Sequence, residues 1–127
     1  MPTLPKLFLV LGALIGALAV VLGAFGAHAL RARLAPDVLA VYNTAVQYHF
    51  WHALALVAIG IVAIHLPGST ALKWSGALML AGIVLFSGSL YVLALTGARS
   101  LGAVTPFGGA AFIAGWVLLA LAVARAG

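Results

Sequence analysis

Residues 38–66 read VLAVYNTAVQYHFWHALALVAIGIVAIHL. The run holds no Asp, Glu, Lys or Arg, and it exceeds the roughly 20 apolar residues that cross a hydrocarbon layer about 30 Å thick. Its centre, Gln47-Tyr48-His49-Phe50-Trp51-His52, nevertheless carries an amide, a phenol, an indole and two imidazoles. In a soluble core helix these groups would raise no question. In a membrane span each needs a partner, because hydrocarbon offers none. Composition decides between the two. Of 127 residues, 66% are apolar and 6% charged, with mean hydropathy +1.30, whereas soluble domains are about half apolar and about a quarter charged. A soluble fold this small cannot hide so much apolar surface, so its solvent is lipid.

Three further runs are long enough to span: roughly Leu7 to Leu30, Leu72 to Thr96 and Val104 to Ala124. Arg31, Arg33 and Pro36-Asp37, then Pro67-Gly68-Ser69, then Gly97 to Gly102 punctuate them. Proline suits the first turn of a helix, where its missing N–H would be orphaned anyway, and an acidic residue there meets the positive end of the dipole. The second helix is therefore expected to begin near Pro36, which makes it long enough to tilt or bend. Short loops favour antiparallel neighbours. The expectation is all-α: an integral membrane four-helix up-down antiparallel bundle, one transmembrane domain over residues 1–127. Ala27-His28-Ala29 mimics a signal-peptidase site, but the preceding apolar stretch is too long for a signal peptide's core of about 7–15 residues. It is read as the first span.

The net charge of +5 does not point to nucleic acid. The six Lys and Arg residues are scattered between apolar runs, as flanking charges are. No cysteine is present, so there is neither a disulfide framework nor a thiolate metal site. With both termini on one side, called side A, Lys6, Lys73 and Arg125 face Arg31, Arg33 and Arg99 on side B. The positive-inside rule cannot choose between three and three.

Antiparallel threading brings the unusual residues to one level. His28 ends the first helix on side B, where Tyr42, Asn43, Thr44, Gln47, Tyr48, His49 and His52 open the second. Ser87, Ser89 and Tyr91 close the third, and Thr105-Pro106 opens the fourth. On the second helix, 100° steps put Tyr48, His49 and His52 on one face with Ala45, Leu56, Gly60 and Ala63. Asn43, Gln47 and Trp51 fall opposite. The polar cluster is accordingly read as His28, Gln47, Tyr48, His49, His52, Ser87, Ser89, Tyr91 and Thr105. Its histidines are expected to be interior and neutral, bonded to the first and third helices. Thr105 is expected to cap the fourth helix, with Pro106 at its first position. Small residues form stripes: Gly12, Gly16, Ala19, Gly23 and Gly26 on the first helix; Ser75, Gly82, Ser89 and Thr96 on the third; Gly108, Ala111, Gly115 and Ala122 on the fourth. Such stripes let backbones approach within the bundle or, failing that, at a subunit interface.

Taken together, GAFGAHAL (23–30), VQYHFWHALAL (46–56), LFSGSLYVLAL (85–95) and VTPFGGAAFIAGW (104–116) resemble the domain-of-unknown-function family 423, the YgdD-like small inner-membrane proteins. The resemblance covers nearly the whole chain. It implies a four-span, multi-pass protein of the bacterial inner membrane, with the side B cluster as a family hallmark. It leans towards cytoplasmic termini, and it implies no activity.

Several functions are compatible with this pattern. The first is a structural or accessory membrane subunit whose polar residues cross-link helices, alone, as a homo-oligomer or within a larger complex. The second is a site for a quinone, lipid or other amphiphile. In that reading Phe25, Tyr48, Trp51, Tyr91 and Phe107 sit with the histidines, and Arg31, Arg33 and Arg99 hold a headgroup; Trp and Tyr as an interfacial belt would be the alternative. A metal or haem site would use His49-x-x-His52 and His28, but no Cys or Glu exists to complete it. A small transporter or channel would lack a membrane-embedded carboxylate and would need histidine in its place. No catalytic triad, carboxylate pair or phosphate-cradling loop is present, so no enzyme, cofactor or metal is expected.

Overall fold

The computed structural model describes residues 1–127 and is entirely helical. Helix α1 spans Thr3–Leu30, α2 Pro36–His65 and α3 Thr70–Thr96, while α4 spans Thr105–Ala124 after a short 3-10 turn at Arg99–Ala103. All are long and apolar enough to cross a membrane. The first and third spans start somewhat earlier than hydropathy places them. Helix α1 begins at Thr3 rather than Leu7, and α3 at Thr70 rather than Leu72. At 28, 30 and 27 residues, α1, α2 and α3 exceed the roughly 20 that cross the hydrocarbon layer.

Local chemistry sets the boundaries. Ala35 is extended and Pro36 opens α2 with Asp37 in its first turn, as expected. Ser69 caps α3, accepting from the Leu72 N–H at 3.2 Å. Gly97 ends α3 in the left-handed conformation, φ +74°, which side chains with a Cβ resist. The expected Thr105 cap is not formed. Val104 is already helical and takes the cap position, its carbonyl accepting from the Phe107 N–H, and Thr105 turns its hydroxyl to Ser89.

Two helices widen to π geometry near side B: α1 at Gly26–Leu30 and α3 at Ile83–Gly88. At the first, the Tyr42 ring lies against Gly26, and its hydroxyl donates to the Leu22 carbonyl at 2.5 Å.

The long seams are α1 along α2 and α4 along α3, and the two pairs join through α2 and α3. Helix α2 is the hub, with Tyr42, Ala45, His49, His52, Ala53, Leu56, Ile59 and Ala63 buried. Glycine makes both seams close. A Cβ on Gly12 would lie 3.0 Å from the Val57 nitrogen, and Gly23 and Gly26 face Val46 and Tyr42. Gly16 is looser, with Ala53 at 3.8 Å. On the other seam Gly82 lies beneath the Phe112 ring, Gly108 presses on the backbone of Phe86, and Gly115 meets Met79 and Ser75. Gly60 and Gly76, outside the predicted stripes, receive Leu9 and Phe8 from α1.

Candidate functional site

His49 is the centre of the polar level. It is 3% exposed and reaches two other helices. One ring nitrogen, Nε2, lies 2.9 Å from the Ile15 carbonyl of α1, and the other, Nδ1, lies 2.8 Å from the Tyr91 hydroxyl of α3. A carbonyl only accepts, so Nε2 carries the proton; in the neutral ring Nδ1 then accepts from Tyr91. His49 thus bonds to α1 and α3, as its position predicts.

His52, one turn on, does not follow. Its Nδ1 donates to the Tyr48 carbonyl of its own helix at 2.7 Å, and its Nε2 accepts from the Trp116 indole N–H of α4 at 3.1 Å. Indole only donates, which fixes the Nδ1–H tautomer. The two imidazoles are therefore opposite tautomers. The expectation that both bond to α1 and α3 is corrected for His52: three residues leave it about 60° short of a full helical turn, enough to face α4. There it stacks on Phe112, with ring centroids 3.5 Å apart. Tyr48 continues the aromatic packing against His52, Trp51 and Phe86.

The serines belong to the helix seams rather than to the histidines. Ser87 donates to the Ala45 carbonyl at 2.8 Å, tying α3 to α2. Ser89 and Thr105 pair at 2.6 Å, tying α3 to α4. Tyr91 also meets Tyr42 edge to face. No buried side-chain nitrogen or oxygen lacks a partner.

Two expected members of the cluster lie outside it. His28 is exposed on the widened last turn of α1, away from His49. Gln47 is exposed on the outer face of α2, as its 100° position requires. The aromatic ring of an amphiphile pocket is also not assembled, because Phe25, Trp51 and Phe107 point outward at 47%, 51% and 71% exposure. Two members escape the sequence reading of the cluster, Tyr42 and Trp116. Tyr42 is fully buried, and its depth alone hints at a role. Trp116 follows Gly108 and Phe112 at steps of four, a spacing that puts it on their side of α4.

A metal finds no ligand set here. His49 and His52 aim at different helices, and the lone pair of each is already used. His28 is remote from both on the surface, and Asp37 is exposed at the end of α2. Two open grooves flank the cluster. One, of about 390 Å³, is lined by Tyr48, His52, Phe86, Gly109, Phe112, Ile113 and Trp116. The other, of about 490 Å³, runs between α1 and α2 and includes Gly23, Ala24, Gln47 and Trp51.

The chain has close relatives among bacterial membrane proteins. It is 48% identical over 120 residues to the UPF0382 membrane protein YwdK of Bacillus subtilis, covering 94% of this chain and 98% of the relative. It is 48% identical over 116 residues to the UPF0382 membrane protein SH2409 of Staphylococcus haemolyticus, covering 90% and 92%. The UPF0382 membrane protein SAB0533 of Staphylococcus aureus is 46% identical over 119 residues, covering 92% and 94%. No solved structure matches. The family described as "Protein of unknown function (DUF423)" matches residues 22–109, and the cluster lies within that stretch apart from Ile15, Phe112 and Trp116. By these matches and its four apolar helices, the chain belongs to that family and is a multi-pass protein of the bacterial plasma membrane.

Proposed function

We propose that the protein is a structural or accessory membrane subunit, without catalytic activity, whose polar level locks four helices into one arrangement. The observation that carries this reading is that every buried side-chain nitrogen and oxygen is paired. Both nitrogens of both interior histidines are engaged, and the interior serines each hold a seam. A site built to bind or react keeps polar atoms free and convergent. Here all are paired and most are spent on other helices, the usual use of such groups in lipid. A histidine proton carrier would need a lone pair free to receive the proton. His52 offers its lone pair to Trp116, and protonating it would set N–H against N–H.

Native mass spectrometry from mild detergent tests the proposal. The bare polypeptide mass, or a multiple of it, is expected. A stoichiometric small molecule retained across preparations would overturn it. Nitrogen-15 spectra of labelled histidine add a second readout, since His49 and His52 should give the two different neutral tautomers.

One observation favours a second reading, an amphiphile site. The Tyr48 hydroxyl makes no hydrogen bond within the chain, and Tyr48 borders the groove lined by His52, Phe112 and Trp116. A short-chain quinone analogue that saturably quenches indole fluorescence in the protein, but not in Trp116→Phe, would support it. Identical quenching in both would remove it.

A further inference from the structure

The outer face of α2 carries Asn43, Gln47 and Trp51 at steps of four, so the three stand in one row. All are exposed. None makes a side-chain hydrogen bond within the chain. Their depth makes this unusual. Gln47 stands about 16 Å along the helix from Pro36 at a rise of about 1.5 Å per residue, well below the headgroups. Trp51 is at the middle of the 30-residue helix, far from the interface where indoles ordinarily settle. Acyl chains cannot satisfy a carboxamide or an indole N–H, so the row needs a protein partner.

The geometry points to a second copy of this chain as that partner: a parallel homodimer in which the α2 rows face one another and the two Gln47 carboxamides pair. The inference rests on the subunit reading above and names its partner. Symmetry favours it. A two-fold axis along the membrane normal keeps every residue at its own depth, so Gln47 meets Gln47. A primary amide offers two donors and an acceptor and is complementary to itself. An axis in the membrane plane would instead reverse one helix and set Gln47 opposite Leu54, leaving both amides unsatisfied. The adjoining groove between α1 and α2, bordered by Gly23, Ala24 and Ala27, lets the second copy approach beside the row. The same pairing requires both copies to share one orientation, although the flanking charges tie.

The chain has no cysteine, so a single introduced thiol reports on its own surroundings. Oxidative cross-linking in native bacterial membranes should give a homodimer for Asn43→Cys and for Leu54→Cys. It should give none for Val84→Cys, which is 68% exposed on α3. Adding Gln47→Leu to Leu54→Cys should abolish that dimer, while the monomer's melting temperature stays unchanged. The proposal is overturned if Leu54→Cys dimerises no more than Val84→Cys, or if Gln47→Leu leaves the cross-link intact. It is likewise overturned if the thiol joins only a different protein, or if Gln47→Cys joins Leu54→Cys between differently tagged chains. A dimer carrying a retained small molecule would sink the subunit reading and leave the dimer standing; a bare monomer in every membrane would do the reverse.

Discussion

The two halves of the bundle hold their helices together by different means. Towards side A, α1 meets its neighbours through apolar side chains seated on glycine: Phe8 over Gly76 and Leu9 over Gly60. Towards side B, hydrogen bonds join α1 to α2, α2 to α3 and α3 to α4, through Tyr42, His49, Ser87, and Ser89 with Thr105. His52 with Trp116 joins α2 to α4 at mid-helix, and Ser75 is the exception deeper in the side A half, donating to the Gly115 carbonyl at 2.7 Å. Apolar contact onto glycine sets distance but tolerates sliding, because lipid competes nearly as well for the same surface. A hydrogen bond between named atoms fixes register as well. The side B half also contains both π turns, where backbone geometry departs from the regular helix. Close approach is therefore general in this fold, whereas the bonds that fix register are concentrated towards side B.

That contrast is broken most visibly at Gly108. A Cβ there would run into the backbone of Phe86, which cannot rotate away as a side chain would. Gly108→Ala should cost about 1–3 kcal/mol or more, as overpacking does, and lower the melting temperature in detergent more than the four substitutions that follow. A melting temperature equal to wild type would show that the α3–α4 seam is not closely packed.

His49→Leu comes next. It removes two interhelical bonds, each worth about 0.6 kcal/mol on average, so a loss of about 1–2 kcal/mol is expected. His65→Leu, exposed at the side A end of α2, should stay within about 0.5 kcal/mol. Equal melting temperatures for the two variants would mean that the side B level does not stabilise the bundle. Ser75→Ala then probes the exception in the side A half. One bond is lost, and about 0.6 kcal/mol is expected, smaller than for His49 and measurable by the same thermal melt. Gly16→Ala should be the smallest. The nearest atom to its Cβ would be 3.8 Å away, ordinary contact, so a shift indistinguishable from zero is expected. A large loss would place α2 closer to α1 than the structure has it.

Much of this is legible in the residues. The interior face of α2 follows from 100° steps because a helix repeats regularly, and that rule sets His49 inside and Gln47 and Trp51 outside. The glycine stripe of α1 is legible for the same reason. Other features are not. His28 shares the depth of the cluster, but depth does not say which way a side chain points. The widened turn at Gly26–Leu30 breaks the angular count just before it. Thr105 has the sequence of a cap, yet Val104 takes the cap position after the 3-10 turn and the Thr105 hydroxyl pairs with Ser89 on α3.

The residues alone determined the solvent, the number of crossings and the level at which polar groups gather. Each follows from apolar length, chain direction and helix rise, which are properties of single segments. Only the tertiary structure decided who bonds to whom. Whether His52 answers α3 or α4, and whether Ser89 finds a histidine or Thr105, depends on the rotation of each helix about its own axis. That rotation is set by contacts between segments distant in the chain, and no single segment carries it.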